Sequence, residues 1–185
     1  MKHIVIYGGA FNPPTNAHLA ITKACIEKAR ELDAELWLLP SGNRADKSIE
    51  IAPDLRLHYI DAFVEALEEH DVKLRVDLSE FRGNGLTRTF ETVSRLNVEY
   101  PDTRFYWVFG ADSINTMKEW RGGEQLFNEL YMFIIPRDGY EISLAPPNAQ
   151  IIDVDVPVIS SSQVRKLIND SDSVHEVVPP RIAEI

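Results

Sequence analysis

Ile4-Val5-Ile6-Tyr7-Gly8-Gly9-Ala10-Phe11-Asn12-Pro13-Pro14-Thr15-Asn16-Ala17-His18 is the stretch from which the fold can be read. A short apolar run ends on two glycines, and an amphipathic pattern follows with Thr15 and His18 in its first turn. Glycine lets a backbone come close to a ligand, and the unpaired N–H groups and positive dipole end of a helix favour an anion. Strand, glycine turn and helix start, in that order, predict a phosphate-binding corner. Two glycines alone would mark only a tight turn, and the stretch is neither a dinucleotide GxGxxG nor a Walker loop.

Beyond this stretch, apolar strand patterns alternate with helical ones. Leu36–Leu39 reads as a second strand stopped by Pro40, and Leu55, Tyr59, Ala62, Phe63, Ala66 and Leu67 repeat at helical spacing behind Pro53. Val72, Leu74, Val76 and Leu78 alternate with polar residues as a half-solvated strand. Thr89 is placed to cap a helix whose buried face carries Phe90, Val93 and Leu96 or Asn97. Phe105–Phe109 and Met132–Ile135 are strands, Ile151, Ile152 and Val154 suggest a last one, and helices start near Ser161 and Pro180. Such alternation predicts an α/β fold: a doubly wound, Rossmann-like parallel sheet with helices on both faces. Ligands in such folds sit at the carboxyl ends of the strands, where the loops 8–18, 40–47, 79–89 and 110–121 should converge.

The 185 residues are most economically one domain, residues 1–185. A net charge of −10 argues against a nucleic acid held by a general positive field, so an anionic ligand needs a local site. Cys25 is the one cysteine, which rules out an internal disulfide and fits a reducing compartment. No stretch approaches the roughly 20 apolar residues of a membrane span. These features predict a soluble, cytoplasmic protein with no membrane partner, and a homo-oligomer is compatible with them. His3, His58, His70 and His175 show no metal-ligand spacing, so no protein-held metal is expected.

Gly9–His18 resembles the first motif of the nucleotidylyltransferase superfamily, G-x-F-[DN]-P-x-[HT]-x-x-H. Asn12 and Ala17 stand where Asp and Gly are commoner, and the Asn-Pro-x-Thr-Asn-x-His form is similar to that of eukaryotic nicotinamide mononucleotide adenylyltransferases. Ile159-Ser160-Ser161-Ser162-Gln163-Val164-Arg165 is similar to the second motif, I-S-S-T-x-[IV]-R; read by itself, it is a hydroxyl-rich helix cap with a guanidinium one turn in. Gly110-Ala111-Asp112, with Trp120 eight residues after the Asp, resembles the pyridine mononucleotide adenylyltransferase branch. Weaker likenesses lie at Leu39-Pro40-Ser41 with Lys47, at Thr87–Thr92, where Arg88 replaces an aromatic residue, and at Ile134–Tyr140.

The resemblance implies transfer of the adenylyl group of ATP to nicotinate or nicotinamide mononucleotide in NAD biosynthesis. It gives His18, Thr15 and Arg165 catalytic roles on the phosphates. ATP would be bound by Gly8, Gly9, Ala10, Phe11, His18, Gly110, Asp112, Ser160, Ser161 and Arg165, with Asp112 on the ribose. Asn12, Lys47, Thr89, Trp120 and Arg121 would meet the mononucleotide, and Mg²⁺ would be carried mainly by the ATP phosphates. The rivals are a phosphopantetheine adenylyltransferase-like enzyme, which shares both phosphate motifs, and a non-catalytic nucleotide-binding protein on the same fold. Side-chain identity does not separate the acid from the amide, because the extra donor is expected from backbone N–H groups near residues 86–89 or 120–121.

Overall fold

A computed structural model describes residues 1–43, 49–67, 70–83 and 86–185. Its strands are β1 (Lys2–Gly9), β2 (Glu35–Pro40), β3 (Leu74–Val76), β4 (Thr103–Gly110), β5 (Tyr131–Ile135) and β6 (Ala149–Ile151). Its helices are α1 (Asn16–Glu31), α2 (Pro53–Glu65), α3 (Thr89–Glu99), α4 (Ala111–Thr116), α5 (Gly123–Glu129), α6 (Ser161–Asn169) and α7 (Pro180–Ala183), with a 3₁₀ turn at Met117–Glu119. The strands pair in the order β3-β2-β1-β4-β5-β6, every pair parallel. Strand order therefore reverses between β1 and β4, and a ligand crevice is expected outside the carboxyl ends of those two strands.

Side-chain alternation along β1 divides the core. Val5 and Tyr7 face a cluster with Ile21, Cys25 and Ala29 of α1, Ile60 and Phe63 of α2, Val164 of α6 and Ile182 of α7. Ile4 and Ile6 face the opposite cluster, with Val93 and Leu96 of α3, Ile114 of α4 and Leu126 and Phe127 of α5. Both faces of the sheet are thus covered, which is why its strands read as continuous apolar runs.

Four expectations are corrected. The last strand is Ala149–Ile151, so Ile152 and Val154 lie beyond it. Thr89 is the first helical residue of α3 and not its cap; extended Arg88 holds the cap position, without a side-chain cap bond, and Leu96 rather than Asn97 is buried. The strand expected over residues 72–78 narrows to Leu74–Val76 because the Asp77 carboxylate ends it, accepting from Ser79 N–H and Arg75. On α2, Leu55 is exposed, and the buried stripe runs instead through Arg56, Ile60 and Phe63.

Candidate active site

The carboxyl ends of the strands open on a cleft of about 1020 Å³, at the upper end of the roughly 300–1,000 Å³ typical of small-molecule sites. Gly8, Gly9 and Ala10 from the end of β1, Ser41 and Gly42 after β2, and Thr87–Phe90 leading into α3 all line it. Gly110, Asp112, Ser113, Trp120 and Arg121 after β4, with Ser160–Gln163 at the start of α6, complete that wall. The described parts of the four expected loops converge on this edge. Their approach is tight: a Cβ on Gly42 would lie 2.5 Å from both Glu80 O and Thr87 Oγ1.

His18 sits at the corner that opens α1. Thr15 caps the helix, and its backbone N–H donates to His18 Nδ1 at 3.1 Å, while Thr15 Oγ1 lies 2.8 Å from the same nitrogen. A backbone N–H can only donate, so Nδ1 accepts and the neutral imidazole carries its proton on Nε2. The ring is held between Tyr7 and Phe11, at centroid distances of 6.4 and 5.2 Å. Phe11 is buried at a positive φ of 47°, a strained setting for a bulky residue. Burial keeps the Tyr7 phenol and the Cys25 thiol above their ordinary pKa ranges, so both stay neutral.

The second motif reaches back across the fold. Ser160 and Gln163 form a capping box at α6. Ser161 Oγ donates to Pro13 O at 2.9 Å, and Arg165 Nη1 donates to Asn12 O at 2.7 Å and Nη2 to Ser162 Oγ at 3.0 Å. Thr15, Asn12 and Phe11 are buried behind the cleft wall, and half-buried Arg165 reaches Asn12 O from α6. Ser160 and Ser161 are on the wall itself.

At the far side, Asp112 Oδ1 meets Arg137 Nε at 3.2 Å, and both crowd the place where a Cβ on Gly110 would stand. Trp120 is half-buried against Phe109, edge to face at 6.1 Å. Arg121 reaches Glu91 at 3.1 Å, beside Thr89 on the cleft wall. Lys47 lies outside the described residues.

Two residues here escaped the sequence reading. Arg137 belongs to the Ile134–Tyr140 likeness, but nothing in the sequence shows it facing Asp112. Arg56 is 4% exposed and donates through Nε to Ala10 O at 2.8 Å and through Nη2 to Ser41 O at 2.5 Å. Its signal was present, a cation four residues before Ile60 and seven before Phe63 on the apolar stripe of α2.

A model of the cytidylyltransferase-like family matches residues 6–167. A protein of Clostridium acetobutylicum named "Probable nicotinate-nucleotide adenylyltransferase" is 30% identical, over 100% of this chain and 96% of its own length. The nicotinate-nucleotide adenylyltransferase of Bacillus subtilis is 28% identical over 98% of this chain and 94% of its own. The chain belongs to this family. Among solved structures, the Plasmodium falciparum nicotinic acid mononucleotide adenylyltransferase complexed with NaAD shares the fold at a TM-score of 0.78, with 24% identity over 100% of this chain and 94% of that one. The match spans both the glycine corner and the Ser160–Arg165 segment, so the family assignment and the cleft describe the same part of the molecule.

Proposed function

We propose that this protein transfers the adenylyl group of ATP to nicotinate mononucleotide, releasing pyrophosphate and forming the dinucleotide. The observation that carries the reading is the His18 corner. A buried Thr15 fixes the imidazole so that its Nε2–H is the donor, at the start of a 16-residue helix and beside two glycines at the strand-order reversal. The mononucleotide phosphate attacks the α-phosphorus in line, the bond to the β-phosphate oxygen breaks, and pyrophosphate leaves. A phosphate monoester is already nucleophilic, so positioning and charge stabilisation supply the catalysis and no general base is needed.

In this reading His18 donates to the α-phosphate as charge builds, and Thr15 acts through it. The amides near Gly8, Gly9, Ala10 and Phe11, together with the start of α6 at Ser160 and Ser161, receive the remaining phosphate oxygens. Arg165 anchors α6 to Asn12 and adds positive charge behind the phosphates. The Asp112 carboxylate accepts from the ATP ribose hydroxyls beside Gly110, trading its pairing with Arg137. Trp120 offers the pyridine a flat face, with Asn12, Lys47, Thr89 and Arg121 on the mononucleotide side. We place the whole site in a single domain.

Among the described residues, no group of three His, Cys, Asp or Glu is placed to hold a metal ion. The donors at the His18 corner are N–H and hydroxyl groups, which suit phosphate oxygens, so Mg²⁺ fits as an ion carried on the ATP phosphates. Bound there, it would neutralise charge on the triphosphate. No helix among the described residues is long and apolar enough to cross a membrane.

The test is a panel of acceptors with ATP and Mg²⁺, read by pyrophosphate release. Nicotinate mononucleotide should be turned over, with nicotinamide mononucleotide slower. Release that depends on phosphopantetheine instead, or ATP binding without turnover of any acceptor, would refute the proposal.

A further inference from the structure

Among the described residues, the buried Arg56 guanidinium has no counter-charge. Its two hydrogen bonds go to neutral carbonyls, Ala10 O and Ser41 O, and its face lies 4.9 Å from the Phe81 ring centroid. Among the described residues no carboxylate pairs with it. Burial pulls its pKa down to about 10, so it remains cationic at neutral pH. The two bonds are charge-assisted, yet neither neutral carbonyl cancels the positive charge, so part of the cost of desolvating it stays uncompensated. A purely structural brace between two loops could be built from neutral donors at lower cost.

Both gripped carbonyls belong to residues of the cleft. Ala10 and Ser41 line the cleft from the ends of β1 and β2. In a trans peptide the C=O and the following N–H point opposite ways, so holding Ala10 O inward turns the Phe11 N–H outward. Phe11 is the strained residue whose ring packs on His18, so the same grip reaches the imidazole through one neighbour. Arg56 thus lies beneath the anion corner, holding its backbone and lending it positive charge.

We propose, resting on the adenylyl-transfer reading above, that Arg56 is a positioning residue of the site: it locks the Ala10–Phe11 turn to the end of β2, and the substrate phosphates are the counter-charge it lacks. Two substitutions separate these effects. Arg56→Met keeps the apolar stem and removes charge and donors; Arg56→Lys keeps the charge but replaces the rigid fork with a point donor. Affinity is measured calorimetrically for ATP against adenosine, and for nicotinate mononucleotide against its dephosphorylated riboside, alongside kcat, KM and the melting temperature.

Arg56→Met should weaken a phosphorylated ligand about tenfold or more while its dephosphorylated partner changes less than about twofold. Arg56→Lys should bring affinity back to within about threefold of the original protein yet leave kcat down about tenfold, because the turn is no longer clamped at both carbonyls. Equal losses for phosphorylated and dephosphorylated ligands, or unchanged kcat and affinity in both variants, would overturn the proposal. If Arg56→Met does not fold, Arg56→Lys decides: an unchanged kcat refutes the clamp. Should the unmodified protein fail to adenylylate nicotinate mononucleotide, the reaction reading falls, while the ATP–adenosine comparison still judges Arg56.

Discussion

His18 shows how much of a site can depend on one neighbouring hydroxyl. Its Nδ1 is committed to Thr15, so the tautomer and ring direction are set before any substrate arrives. Replacing His18 by Ala should lower kcat about 100- to 1,000-fold, the usual loss of one donor to developing charge, with native circular dichroism and a melting temperature lowered only by the lost bond from Thr15 N–H. Thr15→Ala should cost both stability, about 1 kcal/mol for the lost cap, and turnover, because the imidazole is freed to rotate. Gly110 has a different constraint. A methyl group there would sit 2.3 Å from Asp112 Oδ1 and 2.9 Å from Arg137 Nε. Gly110→Ala should therefore displace that pair and raise the KM for ATP more than the KM for the mononucleotide in steady-state assays.

At the scale of elements, α6 is a short helix of nine residues, too short to be stable alone. Its Ser160–Gln163 capping box and its bonds to Asn12 and Pro13 hold it. Ser160→Ala should cost about 1 kcal/mol in chemical denaturation and weaken ATP binding by loosening the Ser161–Pro13 contact. Helices α1, α2 and α6 announced themselves by period, by Pro53 and by hydroxyl caps, all local signals. The end of β3 did not, because the alternation of Val72 to Leu78 is overruled by the Asp77 carboxylate. Thr89 was a plausible cap by type, and only the extended backbone of Arg88 shows otherwise. Likewise the corner at Gly8–His18 was legible from its own residues, whereas Arg56 and Arg137 matter through partners 46 and 25 positions away, which no local pattern encodes.

For the whole molecule, the sheet carries its own acid sensitivity. Burial would raise the pKa of Glu35, but hydrogen bonds from Lys2, Lys73 and Trp37 outweigh it and hold the carboxyl at about 2. A carboxyl depressed on folding stabilises the fold above its unfolded pKa, near 4.5, and that contribution fades as pH falls toward 2. The two lysines are largely exposed, so solvent screening leaves on the order of 1–3 kcal/mol. Denaturant titrations should show stability dropping between about pH 5 and pH 2. Glu35→Gln should be less stable at pH 7 and show a shallower drop; an unchanged slope would remove Glu35 from the account.

The contacts from α6 to the glycine corner join residues 148 and 153 positions apart, Ser161 to Pro13 and Arg165 to Asn12. A ribosome adding about 5–20 residues per second needs roughly 7–30 s to travel that distance. Throughout that interval the nascent chain displays the anion corner without the segment that clasps it. A ribosome-bound chain stalled before residue 160 would carry His18 and both glycines yet lack half of the phosphate wall. Synthesis order thus acts as a timer: the first part of the site to be made is the last to be closed.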